Sequence, residues 1–250
     1  MKRLILLLLL QTLVAVPQSF AQTKTEADAL YSKEKYAEAA KAYEAILSQQ
    51  GVAAEIYYNL AGCYYKLDNI PLAILNYERA LVLSPGDGDI RSNLAFARGK
   101  TIDKVTPPSE MFFVTWWRDF THIQSLTAWG TTGLVCFVLA LMCLLVYFLA
   151  FNIRLRKTGF YLAIALIALT VLANLAAYSQ STEMADHAAA IVMAPSVSVK
   201  SSPSESSTDL FLIHEGSKVE ILDNTMQHWL EVKFEEGKQG WIPASAVEMI

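Results

Sequence analysis

The chain is poor in the residues that carry covalent and redox chemistry. Its 250 residues include three cysteines and four histidines, and no two cysteines form the paired C-x-x-C of zinc or disulfide-exchange sites. Cys136 and Cys143 fall in a long apolar run, while Cys63 stands alone in a more polar region, so all three read as small packing residues. His214 and His228 have no cysteine or serine partner in their segment, and nothing near Cys63 would activate it as a nucleophile. The expectation is a non-enzyme without metal or cofactor. A formal charge of -4 without a basic run gives no footing for nucleic acid. Charge is also missing inside the long apolar runs, which argues against a transporter or channel.

What the chain does have is apolar length, with 54% hydrophobic residues. Two runs, 129–151 and 160–178, each supply about the 20 apolar residues that a helix needs to cross a hydrocarbon core. Arg154, Arg156 and Lys157 sit in the connecting segment 152–159. The positive-inside rule places that turn in the cytoplasm and everything on either side of the hairpin outside it. Gly133, Cys136, Ala140 and Cys143 form a stripe of small residues on the first run, for which Ala165, Ala168 and Ala176 on the second offer a matching surface.

The first residues agree with that orientation. Lys2 and Arg3 precede an apolar stretch from Leu4 to Val16, and Ser19-Phe20-Ala21 ends in a small residue, the pattern of a signal peptide over 1–21 cleaved before Gln22. No cysteine near that point offers lipidation.

Residues 22–101 contain an internal repeat. Tyr31, Ala39 and Tyr43 recur as Tyr65, Ala73 and Tyr77, and Asn59-Leu60-Ala61 recurs as Asn93-Leu94-Ala95, at the period of about 34 residues typical of a helix-turn-helix array. Tyr57, Leu60, Ala61, Tyr64, Ala73, Tyr77, Ala80 and Pro85 occupy the positions of a tetratricopeptide repeat. Two repeats and a capping helix from about Asp89 to Lys100 are expected. Such an array presents a concave surface to an extended peptide or a partner helix; the candidate groove residues are Tyr58, Asn59, Gly62, Tyr65, Lys66, Asn93 and Phe96.

Segment 102–128 links the array to the first apolar run. Pro107 and Pro108 stiffen it, and the cluster Met111-Phe112-Phe113-Val114-Thr115-Trp116-Trp117 suits the headgroup level of a bilayer. Residues 188–250 then change to short β-rich runs bounded by Pro, Ser, Gly and Asn. Five strands are expected, around 190–192, 197–199, 218–222, 229–232 and 240–242. The order of Val197-Ser198-Val199, the serine-rich loop, His214-Glu215-Gly216, Trp229 and Gly240-Trp241-Ile242-Pro243 resembles a bacterial SH3 domain. That resemblance implies that Gly216 makes a turn, Trp229 packs and Gly240-Trp241 leads into the closing segment.

The fold class is therefore multidomain: an all-α tetratricopeptide helical repeat, two transmembrane helices and a small all-β SH3-like barrel. In this order the parts resemble the BatE family of Bacteroides aerotolerance proteins. The resemblance implies an inner-membrane scaffold with both soluble domains in the periplasm. Its partners would be Bat proteins with von Willebrand A domains and, indirectly, a MoxR ATPase, with a link to oxygen tolerance or envelope stress. The alternative is a cell-wall sensor whose SH3 domain binds peptidoglycan peptides.

Overall fold

The computed structural model describes residues 18–104, 111–186, 188–234 and 238–250. Most of the expected signal segment and the pair Pro107-Pro108 lie outside the described residues.

Among the described residues five helices come first: α1 (Gln18–Ser32), α2 (Tyr36–Gln50), α3 (Ala54–Lys66), α4 (Ile70–Leu83) and α5 (Gly88–Gly99). The number and spacing are those expected from the repeat. Helix starts are set locally. The Asn69 side chain accepts the Leu72 N–H at 3.3 Å with Pro71 in the first turn, and Asp87 accepts the N–H groups of Asp89 and Ile90. The turns inside the two helix pairs use left-handed residues at equivalent positions, Glu34 (φ 60°) and Asp68 (φ 59°).

Alanine at the crossings brings the helices close. Ala27, Ala39 and Ala40 pack with Tyr43, Ile46, Ile56, Leu60 and Cys63, and Ala61, Ala73 and Ala97 pack with Ile74, Leu75, Tyr77 and Leu94. Gly62 faces Tyr31, and a Cβ there would be in ordinary van der Waals contact, 3.5 Å from the Tyr31 hydroxyl.

A short aromatic helix, α6 (Phe112–Thr121), leads into α7 (Leu126–Leu149), and α8 (Ile153–Asp186) returns antiparallel to it. Both α7 and α8 are long and apolar enough to cross a membrane, with mean hydropathy of 2.6 and 2.2 over their most apolar stretches. The connection is tighter than the expected 152–159. Asn152 caps α8 by accepting the Arg154 N–H at 2.9 Å, so Arg154, Arg156 and Lys157 occupy the first helical turn, exposed. Arg156 lies over the Tyr147 ring at 5.4 Å.

The expected stripe on α7 meets its partner at both ends. A Cβ at Gly133 would lie 3.0 Å from the Asn174 amide nitrogen, and one at Gly159 would lie 2.9 Å from the Cys143 carbonyl oxygen. The matching surface on α8 is Gly159, Ala163, Ala173 and Ala176. Ala165 and Ala168 are instead exposed.

The last region is a small β domain of seven antiparallel strands: β1 (Ala189–Val192), β2 (Ser196–Lys200), β3 (Asp209–His214), β4 (Lys218–Asp223), β5 (Trp229–Phe234), β6 (Lys238–Pro243) and β7 (Val247–Met249). Their spatial order is β3-β2-β6-β5-β4-β1-β7. All seven strands contribute to one core, including Val192, Val199, Ile213, Val219, Val232, Phe234 and Ile242 with Val247 packed against them, so the sheet curls around a shared interior. Five strands coincide with those expected. β3 was hidden by its unalternating run Leu210 to Ile213, and β7 by its three-residue length.

The helical array and the β domain are docked. Ile191 of β1 is buried in the α3 to α5 core, joined there by Met193 and Ile250. Glu78 of α4, only 3% exposed, is paired with Arg98 of α5 and with Lys218 of β4 at 2.9 Å. Arg79 donates to the Met249 carbonyl at 2.6 Å and to Glu248 at 3.2 Å. Asp103 accepts the His214 backbone N–H and the Ser217 hydroxyl, both at 2.7 Å, and its other oxygen lies 2.9 Å from the His214 ring nitrogen Nδ1.

Partial burial pushes the Asp103 carboxyl pKa up, but the hydrogen bonds from His214 and Ser217 outweigh it and hold the net value below the usual range. A carboxylate depressed in the folded state stabilises docking fully above its unfolded value of about 3.9. That contribution is lost as pH falls through the lower folded value. Replacing Asp103 with Ala also leaves buried donors unpaired, at a cost of about 1–3 kcal/mol. Amide exchange at His214 should then speed up by roughly ten- to a hundredfold at pH 7; a change below about twofold would show that this contact does not hold the domains.

Candidate functional site

Helices α3, α4 and α5 build a groove from aromatic rings. Tyr58 and Tyr65 lie two turns apart on α3, and Tyr77 of α4 packs between them and α5, its ring centroid 5.8 Å from that of Tyr58. Tyr65, Tyr77, Asn93 and Phe96 line a pocket of about 70 Å³. Asn93 is fixed by donating from its amide to the Tyr58 hydroxyl at 2.8 Å and to the Asp89 carbonyl at 3.0 Å. Phe96 is 68% exposed, an open aromatic face beside a polar amide.

Four of the expected residues, Tyr58, Tyr65, Asn93 and Phe96, therefore converge. Three do not. Gly62 faces Tyr31 instead. Asn59 turns toward α1 and donates to Asp28 at 3.4 Å, within a group where Asp28 also accepts from Tyr43 and Lys24. Lys66 stands exposed at the end of α3, outside the pocket lining. The cation at the groove is Lys100, with its ammonium 4.5 Å from the Tyr65 ring centroid and 2.9 Å from Asp68. Spacing alone did not reveal Lys100, because the contact crosses from α5 back to α3. The role of Tyr77 in the lining was obscured by its repeat-pattern position, which reads as core.

The β domain offers a second concavity. Glu205, Gln227, His228, Trp229, Pro243, Ala244 and Ser245 line a cleft of about 330 Å³. Trp229, expected to pack, is half-buried at the start of β5 and lines this cleft. Trp241 pairs across to Lys200 of β2 and Glu231 of β5. Gly240 has its reason in close approach, since a Cβ would lie 2.7 Å from the Lys200 carbonyl oxygen. Gly216 makes the expected turn with φ of 79°, and it also lies under the array, where a Cβ would meet Thr101 at 2.7 Å and Ile74 at 3.1 Å.

Cys63 is fully buried in the α1 to α3 core, and burial pushes its thiol up to about 12. That position suits packing and keeps the thiolate, the reactive form, scarce near neutrality. Among the described residues no group of three or more His, Cys, Asp or Glu side chains is assembled that would hold a metal ion.

Residues 24–88 match the tetratricopeptide repeat family. Among solved structures, PcrH from Pseudomonas aeruginosa is 13% identical and covers 66% of this chain and 93% of its own, with a TM-score of 0.32. The type III secretion chaperone SycD of Yersinia enterocolitica, in complex with a peptide of the translocator YopD, gives the same identity and TM-score over 68% of this chain and 98% of its own. No curated protein matches the sequence.

The two aromatic rings of the groove differ in what they contribute to stability. Tyr77 is 4% exposed and Phe96 is 68% exposed, so Tyr77→Ala should destabilise the array by about 3–5 kcal/mol, as for other buried aromatics, while Phe96→Ala stays within about 0.5 kcal/mol. With Cys136 and Cys143 replaced by alanine, alkylation of Cys63 reports this directly. It should accelerate in Tyr77→Ala and remain slow in Phe96→Ala; equal protection in both would contradict the packing assignment.

Proposed function

We propose that this protein is a non-enzymatic scaffold, anchored in the bacterial inner membrane by α7 and α8, that gathers protein partners through its tetratricopeptide groove and its β domain on the periplasmic side. The observation that carries the reading is the groove itself. Its exposed Phe96, fixed Asn93 and Tyr65 bearing Lys100 are left open, while the docked β domain is held by Ile74, Glu78, Arg79 and Asp103. Tetratricopeptide arrays of this kind act by holding protein segments. The placement of Arg154, Arg156 and Lys157 at one end of the hairpin supports a cytoplasmic tip and a periplasmic location for both domains.

The β domain reads as a bacterial SH3 domain, and the order of parts as a BatE-type protein. On this reading the groove partners are membrane proteins with von Willebrand A domains, and coupling to a MoxR ATPase runs through them, because the three-residue link between α7 and α8 leaves little surface in the cytoplasm. The link to oxygen tolerance or envelope stress is then indirect. A second reading is favoured by the cleft around Trp229, His228 and Glu205: a cell-wall sensor that takes up peptidoglycan peptides there.

A photo-crosslinking residue at position 96 of the full-length protein in its native membrane tests the first reading. Recovery of von Willebrand A-domain proteins, lost when Tyr65 is replaced by Ala, is the expected result. Recovery of wall fragments alone, with muropeptide binding abolished by Trp229→Ala, would replace the scaffold with the sensor.

A further inference from the structure

Helix α6 is amphipathic in an uneven way. Its inner edge is committed to the hairpin. Trp117 donates from its indole N–H to the Ser179 hydroxyl of α8 at 3.1 Å, and Phe120 packs against Trp129 of α7 with centroids 5.4 Å apart. Trp129 in turn donates to the Thr121 carbonyl at 2.7 Å, and Gln180 donates to the Gln124 carbonyl at 3.2 Å. These contacts fix α6 at the level where α7 begins and the apolar part of α8 ends, opposite to the basic tip.

The other edge carries large apolar groups without cover. Phe112 is 84% exposed, Trp116 is 66% exposed, and Ile123 in the following turn is 61% exposed. Trp116 also stacks on Phe120 at 6.2 Å, which holds its ring in place. At the same end of the hairpin, Leu126 of α7, three residues beyond Ile123, and Tyr178 of α8, next to the Ser179 that Trp117 bonds, are also exposed. The array rests on this element. A Cβ at Gly86, in the turn between α4 and α5, would lie 2.3 Å from the Ile123 carbonyl oxygen and 3.2 Å from that of His122.

We propose that α6 lies in the plane of the bilayer surface, with Phe112 and Trp116 among the lipid headgroups and upper acyl chains, as a foot on which the helical array stands. The inference rests on the reading that α7 and α8 cross a membrane. The occupant is lipid because α6 is held against the membrane-crossing helices at the end where α7 begins, and because tryptophan, with its one polar tip, concentrates at that depth. A short helix with a strong apolar edge gains from burying that edge at the interface and has too few residues to span. The foot gives the groove a fixed height above the membrane. Partners would be met close to the surface, within reach of segments that themselves emerge from the bilayer.

Electron paramagnetic resonance tests this on the full-length chain in vesicles of phosphatidylethanolamine and phosphatidylglycerol. Cys63, Cys136 and Cys143 are replaced by alanine, and single spin labels are carried by Phe112→Cys and Trp116→Cys, each sufficient alone. Leu139→Cys on α7 and Phe96→Cys on α5, both exposed positions, serve as references. Collision with oxygen relative to a water-soluble nickel chelate should place 112 and 116 between the deep 139 and the aqueous 96. Labels at 112 and 116 as aqueous as 96, with 139 still deep, would overturn the foot and leave the spans intact. An aqueous 139 would remove the membrane reading itself. Labels at 112 and 116 shielded from both reagents would mean that protein, not lipid, covers the edge, and would also overturn the proposal.

Discussion

A carboxylate buried at the joint between the helices and the sheet governs the arrangement of this molecule. Glu78 is almost without solvent, and its two oxygens are answered by cations from different domains, Arg98 of the array and Lys218 of the β domain. A buried ion pair adds little net stability over an apolar contact of the same shape, but leaving one member unpaired costs several kcal/mol. The pair therefore discriminates strongly between one docked position and all others. Arg79 and Asp103 extend the same logic to the last residues of the chain and to the turn after β3.

The hairpin makes that joint possible. Because α8 returns antiparallel along α7, residues separated by more than a hundred positions meet again, as in the contact of Asp103 with His214. The two helices hold each other by close approach at Gly133 and Gly159, and the domains they bring back hold each other by charge and by Ile191 inserted among Ile74 and Leu94. Docking uses one set of α4 residues and leaves Tyr65, Asn93 and Phe96 open. In this arrangement the groove and the β domain belong to one docked unit.

The parts of the fold that depend on local pattern were legible in the sequence. The recurrence of Tyr31, Ala39 and Tyr43 gave five helices with their turns, and the two apolar runs gave α7 and α8, because each rests on a periodicity confined to one element. The strands around Trp229 and Gly240 were legible from β-branched runs and turn residues. Long-range contact was not. Nothing in the neighbourhood of Glu78, Asp103 or Lys100 marks them in the sequence, since their partners lie in other elements and exposed charges look the same as buried ones. Asn59 bonds to Asp28 and Gly62 faces Tyr31, contacts that the sequence does not mark, because helical spacing gives a face but not which neighbour occupies it. Ala165 and Ala168 are exposed, because on a helix as rich in alanine as α8 the composition does not tell which alanines meet the neighbouring helix.

One distance between the two domains tests the central claim that they form a single docked unit. Spin labels at Lys41 on α2 and Asn224 beyond β4, both exposed, in the full-length protein in bilayers with its native cysteines replaced, give that distance by double electron–electron resonance. The account predicts one narrow distribution that broadens when Glu78 is replaced by Ala. A broad distribution in the parent protein, or a narrow one that survives the loss of Glu78, would contradict it.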